Sequence, residues 1–222
     1  MLNKIIRTAN SSSNTKNLTF EIGSNSDLIL ENTITNNLVW TIENFAKSPN
    51  GFLTFPTKFD MIDPLLNIPI GREKIIIRVS MNPEKIIHST EFGTASLNAR
   101  IRAINKLKDA EYKVGILIAP VIFIDDWKVQ YAHLIEKLAN ELSENVKKDL
   151  FFEVIFMTYS YVHKAINSEA YPNAINLYEA DKMKVRGRGM YTYKNSLRQE
   201  GEDYLKSILY KYFPKNQILY FS

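Results

Sequence analysis

The chain has 222 residues, 45% of them hydrophobic, enough to bury a sizeable core without covalent staples. It contains no cysteine, which excludes disulfides, thiolate metal sites and a cysteine nucleophile from this chain. The 28 Lys and Arg against 24 Asp and Glu leave a net charge of +4, a balance that permits a nucleic-acid partner without demanding one.

Residues 1–17 read as a polar lead without a long apolar run or a small-residue cleavage pattern. No segment reaches transmembrane length, so the expected location is the cytoplasm, with no membrane partner. Residues 18–22 predict a short buried strand, followed by the turn formers Gly23-Ser24-Asn25-Ser26-Asp27. Residues 31–45 carry Ile34, Leu38, Trp40, Ile42 and Phe45 at mixed helical spacings, which predicts one helix with a covered face, stopped by Ser48-Pro49-Asn50-Gly51. A strand over 52–55 and a short helix over 60–66 follow.

The alternation then continues. KIIIRVS at 74–80 is β-branched and predicts a strand, and 94–110 predicts a helix capped by Thr94 with Leu97, Ile101, Ile104 and Leu107 inward. A nearly all-apolar strand over 114–119 is expected to end at Pro120, and a helix over 127–142 precedes a buried strand over 150–157. Continuous apolar strands separated by helices argue for a covered parallel sheet, hence an α/β class. The tail differs: DKMKVRGRGMYTYK at 181–194 is basic and aromatic around Gly187 and Gly189 and predicts a β-hairpin, with a helix over 196–213 and a last strand over 217–221. The expected organisation is a polar lead (1–17), a barrel-like body (18–180), and a hairpin with closing helix and strand (181–222) packed on the same domain.

Ligands of parallel sheets bind at the carboxyl ends of the strands. Here those ends hold Gly23 to Asp27, Pro56-Thr57-Lys58, Ser80-Met81-Asn82, Ala119-Pro120 and Thr158-Tyr159. Lys58 is the candidate anion holder, and Ser26, Ser80 and Asn82 are candidate hydrogen-bonding groups. The same residue types also cap helices and make turns without binding anything. Walker, G-x-S-x-G and H-E-x-x-H signatures are missing, and His88, His133 and His163 lack metal-ligand spacing, so no metal ligand is assigned. In the hairpin, Lys182, Lys184, Arg186, Arg188 and Lys194 interleave with Tyr191 and Tyr193, which suits phosphates and bases, or equally a solvated positive face.

FEIGSNSD, TFPTKFD, the long run from IRVSMNPEK to GILIAPV, RGRGMYTY and the closing FPKNQILYF together resemble the spore photoproduct lyases, over nearly the whole chain from about Ile5. The resemblance implies a partial (β/α) TIM-like barrel of the radical S-adenosylmethionine type, truncated at its first strand, with a carboxyl-terminal hairpin. It implies repair of the methylene-bridged thymine dimer in DNA: a 4Fe-4S cluster reductively cleaves S-adenosylmethionine, and the resulting radical takes a hydrogen atom from the dimer. By matched motif, Ser26, Lys58 and Ser80 would contact S-adenosylmethionine, with Lys58 holding the cofactor's carboxylate, and Arg186, Arg188, Tyr191 and Tyr193 would enter the damaged duplex. Ser24 stands at the position of the family's hydrogen-donor cysteine.

Two departures bear on function. The family's CxxxCxxC cluster loop would lie upstream of Met1, so this chain supplies no cluster ligand, and that segment is either carried by a separate partner chain or lost. Ser24 replaces the cysteine that returns a hydrogen atom to the thymine radical, and an alkyl O–H bond is far stronger than S–H, so altered or slow repair is expected. Three readings follow: an enzyme fragment inactive alone or completed by another chain, a cluster-free DNA-binding remnant, and a degraded reading frame. An unpaired edge at 18–22 would favour association or poor solubility. By resemblance the source is a spore-forming bacterium.

Overall fold

In the computed structural model, residues 2–11, 18–48, 50–172 and 175–222 are described. Positions 12–17 of the expected lead, and Pro49 of the expected helix stop, lie outside them. The elements in chain order are α1 (Leu2–Ser11), β1 (Thr19–Glu21), α2 (Leu28–Thr35), α3 (Asn37–Phe45), β2 (Phe52–Thr57), α4 (Asp63–Leu66), β3 (Ile75–Ser80), α5 (Glu84–Thr90), α6 (Leu97–Asp109) and β4 (Lys113–Val121). They continue with α7 (Trp127–Glu141), α8 (Glu144–Lys147), β5 (Phe151–Phe156), β6 (Thr158–Ser160), α9 (Tyr161–Ala170), β7 (Met183–Gly187), β8 (Met190–Tyr193), α10 (Asn195–Tyr212) and β9 (Gln217–Phe221). A six-stranded sheet runs in the order β1-β2-β3-β4-β5-β9, and a three-stranded sheet in the order β6-β8-β7. Strands in chain order with helical crossovers give the expected α/β partial barrel with its separate hairpin. Among the described residues no helix is long and apolar enough to cross a membrane.

The chain divides into two compact units. The first comprises Met1–Met81, Asn98–Leu117 and Leu142–Phe151. Its strands pair in parallel, with Phe20 opposite Leu53, Phe55 opposite Ile77 and Val79 opposite Ile116. Leu53, Phe55, Ile75, Ile77, Val79 and Ile116 are fully buried, as strands covered on both faces require. Gly115 is needed for close approach: a Cβ there would lie 2.3 Å from Cζ of Phe151. Part of the expected polar lead is a helix, α1, whose Leu2 and Ile5 line an apolar cleft with Ile22, Leu28 and Leu38.

The single helix expected over 31–45 is two. Asn36 adopts φ 55°, ending α2 and opening α3, and Oδ1 of Asn32 accepts from the N–H groups of Leu38 at 3.0 Å and Val39 at 3.2 Å. That side chain satisfies the orphan donors of the second helix, and Asn tolerates the left-handed conformation that breaks the first. The break rotates the apolar face, leaving Ile34 and Trp40 exposed while Leu38, Ile42 and Phe45 are buried.

The second unit comprises Asn82–Leu97, Ile118–Glu141 and Phe152–Ser222. β9 runs parallel to β5, since the Ser222 N–H donates to the Val154 carbonyl and the Phe156 N–H to the Ser222 carbonyl. Phe123 is its aromatic hub, packing on Trp127, Phe156 and Tyr193. Gly201 of α10 admits that ring, because a Cβ would lie 2.4 Å from its Cζ. Two expected boundaries move. Pro120 does not end β4, which runs to Val121, and Thr94 is no helix cap: its hydroxyl donates to the Glu91 carbonyl and α6 begins at Leu97.

Candidate functional site

In the first unit, three strand ends converge through side chains. β1 is followed by a turn opened by Gly23 at φ 73°, where a Cβ would lie 2.5 Å from Cγ of Leu28. Ser24 and Ser26 sit on this turn with exposed side chains, and the Ser26 N–H donates to the Gly23 carbonyl at 3.4 Å. The turn ends at Asp27, the N-cap of α2. Its Oδ1 accepts from the Ile29 N–H at 3.1 Å, the Leu30 N–H at 3.4 Å and the Thr57 hydroxyl at 2.9 Å, and its Oδ2 accepts from the Lys58 N–H at 2.8 Å. One carboxylate therefore ties the loop after β1 to the end of β2 and caps a helix.

Lys58 follows the last residue of β2, and its Nζ donates to Oγ of Ser80, the last residue of β3, at 2.8 Å. Ser80 is itself fixed: it is buried, and Nη1 of the fully buried Arg100 donates to its carbonyl at 3.0 Å. The half-buried ammonium thus stands at the strand carboxyl ends, held through its backbone by Asp27 and through its side chain by Ser80. Of the expected cofactor contacts, Lys58 and Ser80 touch, and Ser26 is the residue before Asp27. Asp27 was missed as a positioning group, although an Asp ahead of the apolar run Leu28-Ile29-Leu30 is a helix-start signal.

In the second unit, Asn82 does not face a ligand. It is fully buried, its Nδ2 donates to Oε1 of Glu91 at 2.8 Å, and its Oδ1 accepts from the Tyr131 hydroxyl at 3.3 Å, while that hydroxyl accepts from the Ile122 N–H at 2.9 Å. Burial pushes the Tyr131 phenol well above its ordinary range, opposed by the Ile122 N–H. Asn82 is a cross-link, which corrects the expectation of a ligand contact.

The hairpin forms as expected. β7 and β8 pair antiparallel, joined by Arg188 and Gly189 at φ 52° and 72°, the two positive values a type I′ turn requires. Arg186 and Arg188 are exposed and Tyr191 is half-buried. Tyr193 is 1% exposed, and its hydroxyl accepts from the Phe123 N–H at 3.2 Å. Burial raises its phenol far above the ordinary range, with the Phe123 N–H opposing. Tyr193 anchors the root of the hairpin and presents no ring to a duplex, which corrects its placement among the DNA-facing residues. Sequence alternation put Tyr191 and Tyr193 on one face but gave no depth along the strand.

Among the described residues, no group of three or more His, Cys, Asp or Glu is placed to hold a metal ion.

A family model described as spore photoproduct lyase matches residues 2–222. The spore photoproduct lyase of Geobacillus sp. (strain Y412MC61) is 31% identical over 207 residues, covering 91% of this chain and 60% of the relative. Two solved structures superpose on the whole chain: a cysteine-to-serine variant of a spore photoproduct lyase, with TM-score 0.91 at 28% identity, and a double variant carrying bound AdoMet and dinucleoside spore photoproduct, with TM-score 0.90 at 27% identity. Each is covered to 66% of its length. The chain thus spans about 60% of the length of the curated relative it matches. A family-model match through 2–222 shows that this chain belongs to the spore photoproduct lyase family.

Proposed function

We propose that the first unit binds S-adenosylmethionine and that the second engages DNA containing the thymine photoproduct, as parts of a lyase of the family's type. The observation that supports this best is the Lys58 ammonium, 2.8 Å from the buried Ser80 hydroxyl at the strand carboxyl ends. The residues fit the cofactor. Lys58 supplies a cation for the cofactor's carboxylate, and Ser80 and Ser26 supply hydroxyls that donate or accept. Bound there, S-adenosylmethionine would supply hydrogen-atom abstraction chemistry once an electron from a cluster outside this chain cleaved it, and the chain's own residues would hold and orient it.

The residues do not fit a 4Fe-4S cluster held by thiolates, because the chain has no cysteine. A cluster serving this site would therefore need ligands from outside these 222 residues. Ser24 would then offer an O–H where the family offers an S–H, which makes hydrogen return slow. The absence of cysteine also favours a second reading, a cluster-free DNA-binding protein that keeps the basic hairpin.

Calorimetric titration of the chain with S-adenosylmethionine tests the first reading. Lys58→Met removes the cation and is expected to weaken binding roughly 10-fold or more, a charged hydrogen bond being worth about 1.5–3 kcal/mol. Equal binding by wild type and Lys58→Met would refute the assignment. No binding by wild type, with salt-dependent duplex binding intact, would leave the second reading.

A further inference from the structure

The hairpin sheet of the second unit carries an aromatic cluster that the sequence does not announce. β6 pairs with β8 and β8 with β7, placing Tyr159 opposite Tyr191 and Tyr191 opposite Val185, so these three share one face. Tyr161 opens α9 beside them, and Tyr178 lies in the segment ahead of β7. The four phenol rings touch one another in every pairing, at centroid separations of 5.0 to 6.2 Å.

Such a cluster ordinarily closes a core, but this one is open to solvent. Tyr161 is 45% exposed, Val185 beside Tyr191 is 69% exposed, and α9 buries none of its residues. Beneath the exposed rings, Tyr159 is 7% exposed and its hydroxyl meets no hydrogen-bond partner. A buried hydroxyl without a partner costs about 1–3 kcal/mol, and a ligand with a polar edge would remove that cost. The same sheet exposes Arg186 and Arg188, while Glu179 nearby is ion-paired to Lys182 at 2.8 Å.

We propose that the exposed Tyr161 ring, buttressed by Tyr178 at 44° and by Tyr191 edge-on at 89°, is a stacking platform for one unpaired base of a DNA strand, with Tyr159 beneath it offering its hydroxyl to the base edge. A base has apolar faces for the rings, a hydrogen-bonding edge for the hydroxyl, and a phosphate on each side for the arginines. This deepens the proposed DNA engagement and rests on it. The hairpin supplies charge and grip on the backbone, and the platform supplies selectivity for an unstacked base over a fully paired duplex.

The test measures binding of the chain, by fluorescence anisotropy over a salt series, to a perfect duplex and to the same duplex with one unpaired thymine. Wild type is expected to prefer the unpaired base. Tyr161→Leu is expected to lose that preference by roughly 5- to 100-fold with an unchanged salt slope, and Tyr161→Phe to keep it, because the ring does the stacking. Arg188→Asn is expected to lower the salt slope and leave the preference intact. An unchanged preference in Tyr161→Leu, or an equal loss in Tyr161→Phe, overturns the platform. Salt-dependent binding that falls with Arg188→Asn but shows no preference for the unpaired base overturns the platform alone, and no salt-dependent binding by wild type overturns the DNA reading with it.

Discussion

Replacing Asp27 separates its capping role from its bridging role. The carboxylate accepts from the Ile29 and Leu30 N–H groups at the start of α2 and from the Thr57 hydroxyl and the Lys58 N–H at the end of β2. Asp27→Ala removes all four. The cap is worth about 1 kcal/mol, and the charge-assisted bridge to β2 about 1.5–3 kcal/mol, a total of roughly 3 kcal/mol. For a chain of this size each kcal/mol shifts the melting temperature by about 2–4 °C, so a fall of about 6–12 °C is expected. Asp27→Asn keeps an oxygen for the helix N–H groups and the Thr57 hydroxyl, but sets an amide where the Lys58 N–H needs an acceptor. It loses mainly one charged leg, or roughly 1–2 kcal/mol, and should melt about 2–8 °C below wild type. Thermal unfolding followed by circular dichroism reads both, and the amide resonance of Lys58 should move in each variant. Equal melting of the two variants, or both within 1 °C of wild type, would refute the bridge.

Arg188→Gly should raise the melting temperature by about 1–3 °C, because relief of a left-handed non-glycine residue, worth about 1–2 kcal/mol, exceeds the entropy that glycine adds. It should lower the salt slope of duplex binding by about 0.9, the share of one phosphate contact; a destabilised variant with unchanged slope would count against the strained-tip reading. Alkaline titration should show at least three tyrosines that ionise only on unfolding. The Tyr112 phenol, whose hydroxyl donates to the Leu65 carbonyl at 2.8 Å, is pushed up to about 12 by burial against the opposing Arg72, and Tyr131 and Tyr193 are raised further. A phenol raised in the folded state stabilises it fully below the unfolded value near 10, and that stability is lost as pH rises through the folded value. The tyrosinate absorbance should therefore rise together with loss of the circular dichroism signal above about pH 10; complete ionisation of all tyrosines in a still-folded chain would contradict it.

What was legible in the sequence is what local pattern controls. KIIIRVS had to be a covered strand, and Lys58 stood out because it is the cation at a strand end. The break at Asn36 was not legible, because it depends on a side-chain cap reaching from Asn32 to residues six and seven positions on. Asn82 misled for a related reason. An amide at a strand end looks ligand-facing until Glu91 and Tyr131 are seen to close over it. Asp27 carried its signal openly as a helix start, but its second role, bridging to β2, required knowing that the two strand ends are neighbours. The tyrosine platform was invisible because Tyr159 with Tyr161, Tyr178, and Tyr191 come from three separate stretches of the chain.

The left-handed residues show where local preference and fold disagree. Among the described residues, the non-glycine positions with positive φ are Asn36, Glu111 and Arg188. Asn36 is a permissive residue that ends one helix and begins another. Glu111 follows α6, and its conformation is fixed by the cap bonds from its own N–H to Lys108 and from the Tyr112 N–H to Leu107, with the Tyr112 ring buried behind them. Arg188 has no such support. It sits at an exposed tip between Gly187 and Gly189, where even an added Cβ on either glycine would meet nothing within 4 Å. Packing therefore does not offset its strain, and glycine or asparagine would make the turn at lower cost. Under the proposed DNA engagement, Arg188 would be kept at this tip for a contact with the partner. Its guanidinium, at the tip of a basic hairpin, is suited to a phosphate.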